Sequence, residues 1–240
     1  MKKIFDYFDS RYRESIMNKP EAEAGPVITI SRHAGCDARQ VAENVVDNLN
    51  RKYGQNKWKW IDKDIIYKVA EDLNTDPHRV ENFYKGLELS DASEMIMAFS
   101  GNFVSGQRVK KAIREVVLAM CREGHLVLVG RGGVSIAHDI SDSMHIRLVA
   151  PFYWRVENVM KKKNMDIEAA EEFVVDTDEK RFNLIQTFLD KKPLNIDYLF
   201  DATINRSSFS VQEISELILS MYDKKVSRQI TERKKIKKVF

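Results

Sequence analysis

Apolar positions change their spacing along this chain, and the changes mark its elements. Ile4, Phe8, Tyr12 and Ile16 recur every four residues, the period of one helix face. Asn18 to Pro26 reads as a linker. Val27-Ile28-Thr29-Ile30 is a short β-branched run, the pattern of a buried parallel strand. Ala38 to Arg51 follows as a helix with Val41, Val45, Val46 and Leu49 facing inward, and Trp58 to Ile61 as a second strand. Lys63–Leu73 and Asp76–Leu87 are expected to be helices, with Asp76-Pro77 as an N-cap and first-turn proline. Ser90–Gln107 is irregular: Met95, Ile96, Met97, Phe99 and Phe103 are broken by Gly101 and Gly106, as in an insertion.

Regular alternation then resumes. Val109–Arg122 reads as a helix that stops at Gly124, and Leu126–Val129 as a strand. Met144–Val149 is a further strand, Pro151–Lys163 and Ile167–Leu189 are helices, Tyr198–Ile204 is a last strand and Val211–Tyr222 a last helix. Strands separated by helices predict an α/β fold, a parallel sheet flanked by helices. The expected organisation is an N-terminal helix and linker over 1–26, a domain over 27–222 and a basic extension over 223–240.

Composition narrows the class. With 240 residues, 43% hydrophobic and 31% charged, the chain can bury a sizeable core, and disorder over most of its length is excluded. No apolar run is long enough to span a membrane as a helix, so no membrane partner is expected. Asp6, Asp9, Arg11, Arg13 and Glu14 interrupt the first eighteen residues, which do not read as a signal peptide. Cys36 and Cys121 are the only cysteines, which points to a reducing, cytoplasmic setting. Net charge is +3. The excess lies in the tail, where Lys224, Lys225, Arg228, Arg233, Lys234, Lys235, Lys237 and Lys238 face only Glu232. A solvated helical extension accounts for that run. No nucleic-acid-binding motif accompanies it, so nucleic acid is not an expected partner. The Ile4/Phe8/Tyr12/Ile16 stripe invites docking on the domain or a homodimer.

Ligands of parallel sheets bind beyond the carboxyl ends of the strands. Three segments there carry chemistry. Ser31 to Arg39 joins the first strand to its helix, where helix amides point at an anion. Gly130-Arg131-Gly132-Gly133 follows a buried strand, and Arg131 could grip phosphate as a bidentate fork or pair with a carboxylate. Asp178 and Arg181, three apart on the long charged helix, share a face, as do Arg155 and Asn158 on the helix before it. Asp62 could hold an acceptor or cap the next helix. The five histidines show no metal-ligand spacing, so no metal site is expected among them.

In order and spacing these motifs resemble the cytidylate-kinase-like family of P-loop nucleoside monophosphate kinases. The likeness rests on Ile28-Thr29-Ile30-Ser31-Arg32 with its Gly-containing turn, Asp62-Lys63, Val129-Gly130-Arg131, Thr177-Asp178 with Arg181, and Tyr198, Asp201, Ile204 and Asn205. It covers roughly Val27 to Tyr222. It implies a P-loop fold with a helical lid and an insertion, ATP and Mg²⁺ as cofactors, and transfer of the γ-phosphoryl to CMP, dCMP or a related nucleoside monophosphate.

By the same resemblance, Gly35, Cys36, Asp37, Ala38 and Arg39 would hold donor phosphates, Asp62 and Arg131 the acceptor, and Arg155, Asp178 and Arg181 the transferring group. The chain also departs from the pattern. A P-loop reads G-x-x-x-x-G-K-[ST]. Aligned by the strand, Arg32 stands at the first Gly, Asp37 at the second and Ala38 at the Lys, with Arg39 one place on. Cys36 replaces a Ser, at a helix start where a thiol pKa can fall. Val174 stands where classical members carry a lid arginine. A carboxylate at Asp37 about 5 Å from a phosphate charge would cost on the order of 3 kcal/mol at an effective dielectric of about 20, unless it points away or meets a cation. These departures support a rival expectation, a catalytically degenerate nucleotide-binding regulatory or scaffold protein.

Overall fold

The computed structural model describes residues 26–54, 57–72, 74, 76–78, 80–82, 106–189, 193 and 195–236. The expected N-terminal helix, most of the Ser90–Gln107 insertion and the end of the Asp76–Leu87 helix lie outside them.

Five strands form one parallel sheet in the order β2-β3-β1-β4-β5. They are β1 Val27–Arg32, β2 Lys59–Ile61, β3 Leu126–Val129, β4 Ser143–Val149 and β5 Ala202–Asn205. The central strand β1 is in register with β3 (Ile28 beside Val127) and with β4 (Ile28 beside Met144). Successive side chains point to opposite faces of a strand, and the core divides accordingly. Val27, Leu126 and Leu128 pack with Ile65, Val69, Ile113, Val117 and Phe188 on one face. Ile28, Ile30, Val127 and Val129 pack with Val41, Val45, Leu49, Ile214 and Ile218 on the other. Helices α1 (Ala38–Tyr53) and α7 (Val211–Ile236) cover the second face, and α2 (Ile65–Asp72) and α3 (Gly106–Glu123) the first.

The inward face of α1 is the one its spacing predicts: Val41, Val45 and Leu49 are fully buried. Gly124 ends α3 at φ 77°, and the Asp76 carboxylate accepts from the His78 amide at 2.8 Å as a cap. After the short turn α4 (Gly133–Ile136) and β4 come α5 (Phe152–Lys163) and the long α6 (Ile167–Phe188). Left-handed Asn164 ends α5, and Asp166 starts α6 by accepting from the Ala169 amide at 2.8 Å. Val156 and Val159 of α5 and Ala170 and Val174 of α6 form a third small core with Ala34 of the β1–α1 loop. Val174 is fully buried there, so the position is a packing residue.

Two sequence expectations need correction. The last strand is shorter than Tyr198–Ile204. Asn195 accepts from the Asp197 amide at 2.8 Å and turns Ile196–Leu199 into a 3-10 helix, which leaves Tyr198 exposed and starts β5 at Ala202. The last helix does not stop at Tyr222 but continues to Ile236, so residues 223–236 prolong α7 without a break.

Candidate functional site

The carboxyl edge of the sheet gathers cationic side chains from several elements. Arg32 ends β1, Arg39 lies in the first turn of α1, Arg131 follows β3, and Arg181 comes from α6. Arg181 Nη1 donates to the Arg32 carbonyl at 3.1 Å, which ties α6 to the end of β1. A cleft of about 210 Å³ opens beside them, lined by residues 32–39, Lys162 and Lys163 of α5, and Arg181, with Val159 and Phe173 as its apolar wall.

The β1–α1 loop is held from behind. Asp178 of α6 accepts from the Ala34 amide at 2.6 Å and pairs with Arg155 Nη1. Arg155 is buried, and its Nε donates to the Ala150 carbonyl at 3.0 Å and Nη1 to the Ala34 carbonyl at 3.4 Å. Asn158 Nδ2 reaches the Gly35 carbonyl at 3.4 Å. Gly35 sits at φ 79°, and a Cβ there would lie 2.7 Å from the Arg155 carbonyl oxygen, so the loop can press onto α5 only with glycine at this position. Arg155, Asp178 and Gly35 thus fix the shape of the loop. The Ala34 and Cys36 amides are already engaged, the former by Asp178 and the latter by the His33 carbonyl at 3.2 Å. The first amides of α1 have no partner inside their helix and face the loop's end.

Asp37 does not cap α1 with its side chain; it pairs with Lys162, so its charge meets a cation at the cleft wall. Cys36 is buried in the core of the second sheet face, and burial pushes its thiol up to about 11, the opposite of what a helix start alone suggests. Arg39 turns to Asp62, whose Oδ2 accepts from Nε and Nη2 at 2.9 Å each. Asp62 is buried, and its side chain is used in this pair. Arg131 adopts φ 57°, left-handed for a residue with a side chain, between Gly130 and Gly132. Such conformations gather at functional sites.

Arg32, which the sequence places in the Ile28–Arg32 run and at the position of the first loop glycine, feels these charges directly. Burial lowers its pKa from 12.5 to about 9, and Arg181, Arg131 and Arg39 push the same way while Asp62 opposes them. His33 faces the same cleft. Its Nε2 accepts from Arg147 Nη2 at 3.0 Å, and Arg147 is held by Asp197 at 2.6 Å. Burial, then Arg147, Arg155 and Arg181, hold the His33 pKa below its usual value against Asp178, so the ring is neutral at pH 7. The terminal position of Arg32 on the central strand was the available signal for it. Lys162 and Lys163 had none, because only the approach of α5 brings them to the loop.

Among the described residues no three His, Cys, Asp or Glu side chains converge in a way that could hold a metal ion, and no helix is long and apolar enough to cross a membrane. Asp62 is engaged by Arg39, so this carboxylate is not free to hold a magnesium ion.

The family model for cytidylate kinase-like proteins matches residues 27–208, more than half of the chain. The chain belongs to the cytidylate kinase-like family. Among curated proteins, a uronate isomerase from Corynebacterium glutamicum is 25% identical over 139 residues, 58% of this chain but 26% of that protein. The chain therefore spans about a quarter of the length of the curated relative it matches. A crystal structure of an uncharacterised protein from Eubacterium ventriosum superposes with a TM-score of 0.58 over 83% of this chain and 98% of that one, at 18% identity, a shared fold. A shikimate kinase from Bacteroides thetaiotaomicron, at 11% identity over 80% of this chain and 98% of that one, reaches a TM-score of 0.44, too slight a likeness to carry an argument.

Proposed function

We propose that this member of the cytidylate kinase-like family is a phosphotransferase that moves the γ-phosphoryl of ATP to a nucleoside monophosphate, CMP or dCMP first among them. The observation that carries the reading is the convergence of Arg32, Arg39, Arg131 and Arg181, from four separate elements, at the carboxyl edge of the sheet. Phosphoryl transfer demands little covalent chemistry of a protein; it demands positioning and neutralisation of oxygen charge. An unprotonated oxygen of the acceptor phosphate bonds to the γ-phosphorus while the bond from that phosphorus to the β,γ-bridging oxygen breaks. ADP leaves with the electron pair. Arg131 holds the acceptor phosphate. Arg181, on the lid helix α6, follows the charge as it spreads over the transferring group. Arg39 and the first amides of α1 hold the donor, and Asp62 keeps Arg39 extended between the two.

A second reading has its own support. Asp37 lines the cleft, Ala38 stands at the lysine position and two loop amides are already used, which suits a nucleotide-binding regulatory or scaffold protein without turnover. Assaying ATP, Mg²⁺ and each common nucleoside monophosphate separates the two. The enzyme reading expects phosphorylation of CMP or dCMP, with Arg131→Ala chiefly raising the KM for the monophosphate and Arg181→Ala chiefly lowering kcat. Nucleotide binding without product for any acceptor supports the second reading.

A further inference from the structure

Resting on the reading of this cleft as a phosphate site, we propose that Arg32 is its central cation and fills, from the end of β1, the place that the loop lysine fills in a P-loop. The loop itself offers no lysine, since Ala38 occupies the position. Arg39, the other substitute, spends Nε and Nη2 on Asp62.

Arg32 is placed differently. Its guanidinium lies over Gly130, where a Cβ would sit 1.8 Å from Nη1. A side chain at 130 would have to displace the guanidinium, at a position whose φ of 70° already favours glycine. The contact of Arg32 with Asp62 is long, 3.9 Å from Nη2 to Oδ1, and that carboxylate already accepts twice from Arg39 at 2.9 Å. The side chain is only 19% exposed, so water does little to screen it. Among the described residues, three further arginines act on it as like charges against one carboxylate.

A structural arginine would be placed where carboxylates outweigh cations. Around Arg32 the cations named above outnumber the one carboxylate, an environment suited to an anion. A phosphate among Arg32, Arg39, Arg131 and Arg181 turns repulsion between neighbours into shared attraction. Fixed donors that need no reorganisation when charge arrives are what phosphoryl transfer uses. Arg32 also enters from the strand, the most rigid element of the site, and its own carbonyl holds Arg181 at 3.1 Å. Lid helix and phosphate cation are therefore set by one residue.

Inorganic pyrophosphate, titrated calorimetrically into the full chain at fixed ionic strength, tests this. Arg32→Gln is expected to weaken pyrophosphate binding at least tenfold, and Arg32→Lys to recover part of the loss. Gly130→Ala is expected to reproduce the loss by displacing the guanidinium with its charge intact, which keeps the test open should Arg32→Gln fold poorly. Without ligand, Arg32→Gln should melt at or above the wild-type temperature, because like-charge repulsion is relieved. A residue needed only for folding would lower it. Wild-type pyrophosphate affinity in Arg32→Gln, or absence of pyrophosphate binding by the wild type, overturns the proposal. The kinase reading fails separately: a chain that binds pyrophosphate through Arg32 but phosphorylates no monophosphate loses that reading and keeps this one. A chain whose Arg32→Gln variant phosphorylates CMP at the wild-type rate does the reverse.

Discussion

Strands β1 and β4 carry polar side chains at both ends, and the two ends use them in opposite ways. Toward the amino ends, His145 sits buried between two hydroxyls. Ser143 donates to the Ile140 carbonyl at 2.7 Å, so it accepts from His145 Nε2–H at 2.9 Å, and Nδ1 accepts from the Thr29 hydroxyl at 2.8 Å. The His145 amide donates to Asp201 at 2.7 Å, and Lys225 closes on the same carboxylate at 2.9 Å. Every polar group there has a partner, and buried polar groups so satisfied specify structure. Toward the carboxyl ends, Arg32 and Arg147 of the same strands stand among further arginines, with a left-handed Arg131 and a guanidinium over a glycine. A polar network that closes on itself is architecture. One that carries an excess of a single charge into a cleft is a site for the opposite charge.

The hinge between these uses is the Arg155–Asp178 pair, which locks the loop to α5 and α6, and its loss should have the largest effect. Asp178→Ala leaves Arg155, at 9% exposure, without its carboxylate and the Ala34 amide without its acceptor. Breaking a buried pair on one side costs about 3–5 kcal/mol. Urea unfolding should show a loss of that order, and Asp178→Asn, which can still accept from Ala34, a smaller one. A loss under about 1 kcal/mol would make the pair behave as a surface ion pair and detach the lid helix from the stability of the site.

What the sequence disclosed follows the same divide. Strands and inward helix faces were legible because burial imposes period 2 or 3.6, as at Val41, Val45 and Leu49. The placement of Arg131 and Arg181 at the carboxyl edge was legible because each follows or faces a strand end. Asp62 with Arg39 was not legible as a pair: the two lie 23 residues apart, and no local spacing couples them. Arg155 and Asp178 read as reacting groups, yet the fold uses them to bind the loop, because side-chain direction depends on how α5 meets α6. Arg32 was hidden by alignment to a motif, where it counted as a missing glycine rather than as a charge. The Tyr198–Ile204 strand was overread because an Asx turn at Asn195 outcompetes a β-prone sequence.

The amino-end network gives the next effect in size, and it depends on pH. Burial lowers the His145 pKa from 6.5 to about 4; Lys225 and His138 push the same way, and Asp201 opposes them. An unfolded chain takes up a proton near pH 6.5, the folded one only near pH 4. The contribution is therefore complete above about pH 6.5, declines as pH falls through that window, and is gone near pH 4, for about 3 kcal/mol in all. Unfolding free energy measured between pH 7 and pH 4 should carry this one-proton slope in the wild type and lose it in His145→Gln. An equal slope in both would mean that the network is open to protonation and not closed as its hydrogen bonds indicate.

The smallest effect sharpens the carboxyl-end side of the comparison. Asp37 and Lys162 pair across the cleft wall at 26% and 55% side-chain exposure, so their mutual attraction is screened by water. Exposed pairs of this kind contribute about 0–1 kcal/mol, and Asp37→Asn and Lys162→Gln should each leave the melting temperature within a few degrees of wild type. Their effects on anion binding should have opposite signs. Asp37→Asn removes the loop's negative charge and releases Lys162 toward the ligand, so pyrophosphate should bind several-fold more tightly. Lys162→Gln leaves Asp37 without its cation at the cleft, so pyrophosphate should bind several-fold more weakly. Both differences should shrink as salt is raised, because the groups lie within reach of counter-ions. If both variants bind pyrophosphate as the wild type does, the anion lies away from the loop's start and toward Arg131, and the donor end of the cleft is not where phosphate charge is held.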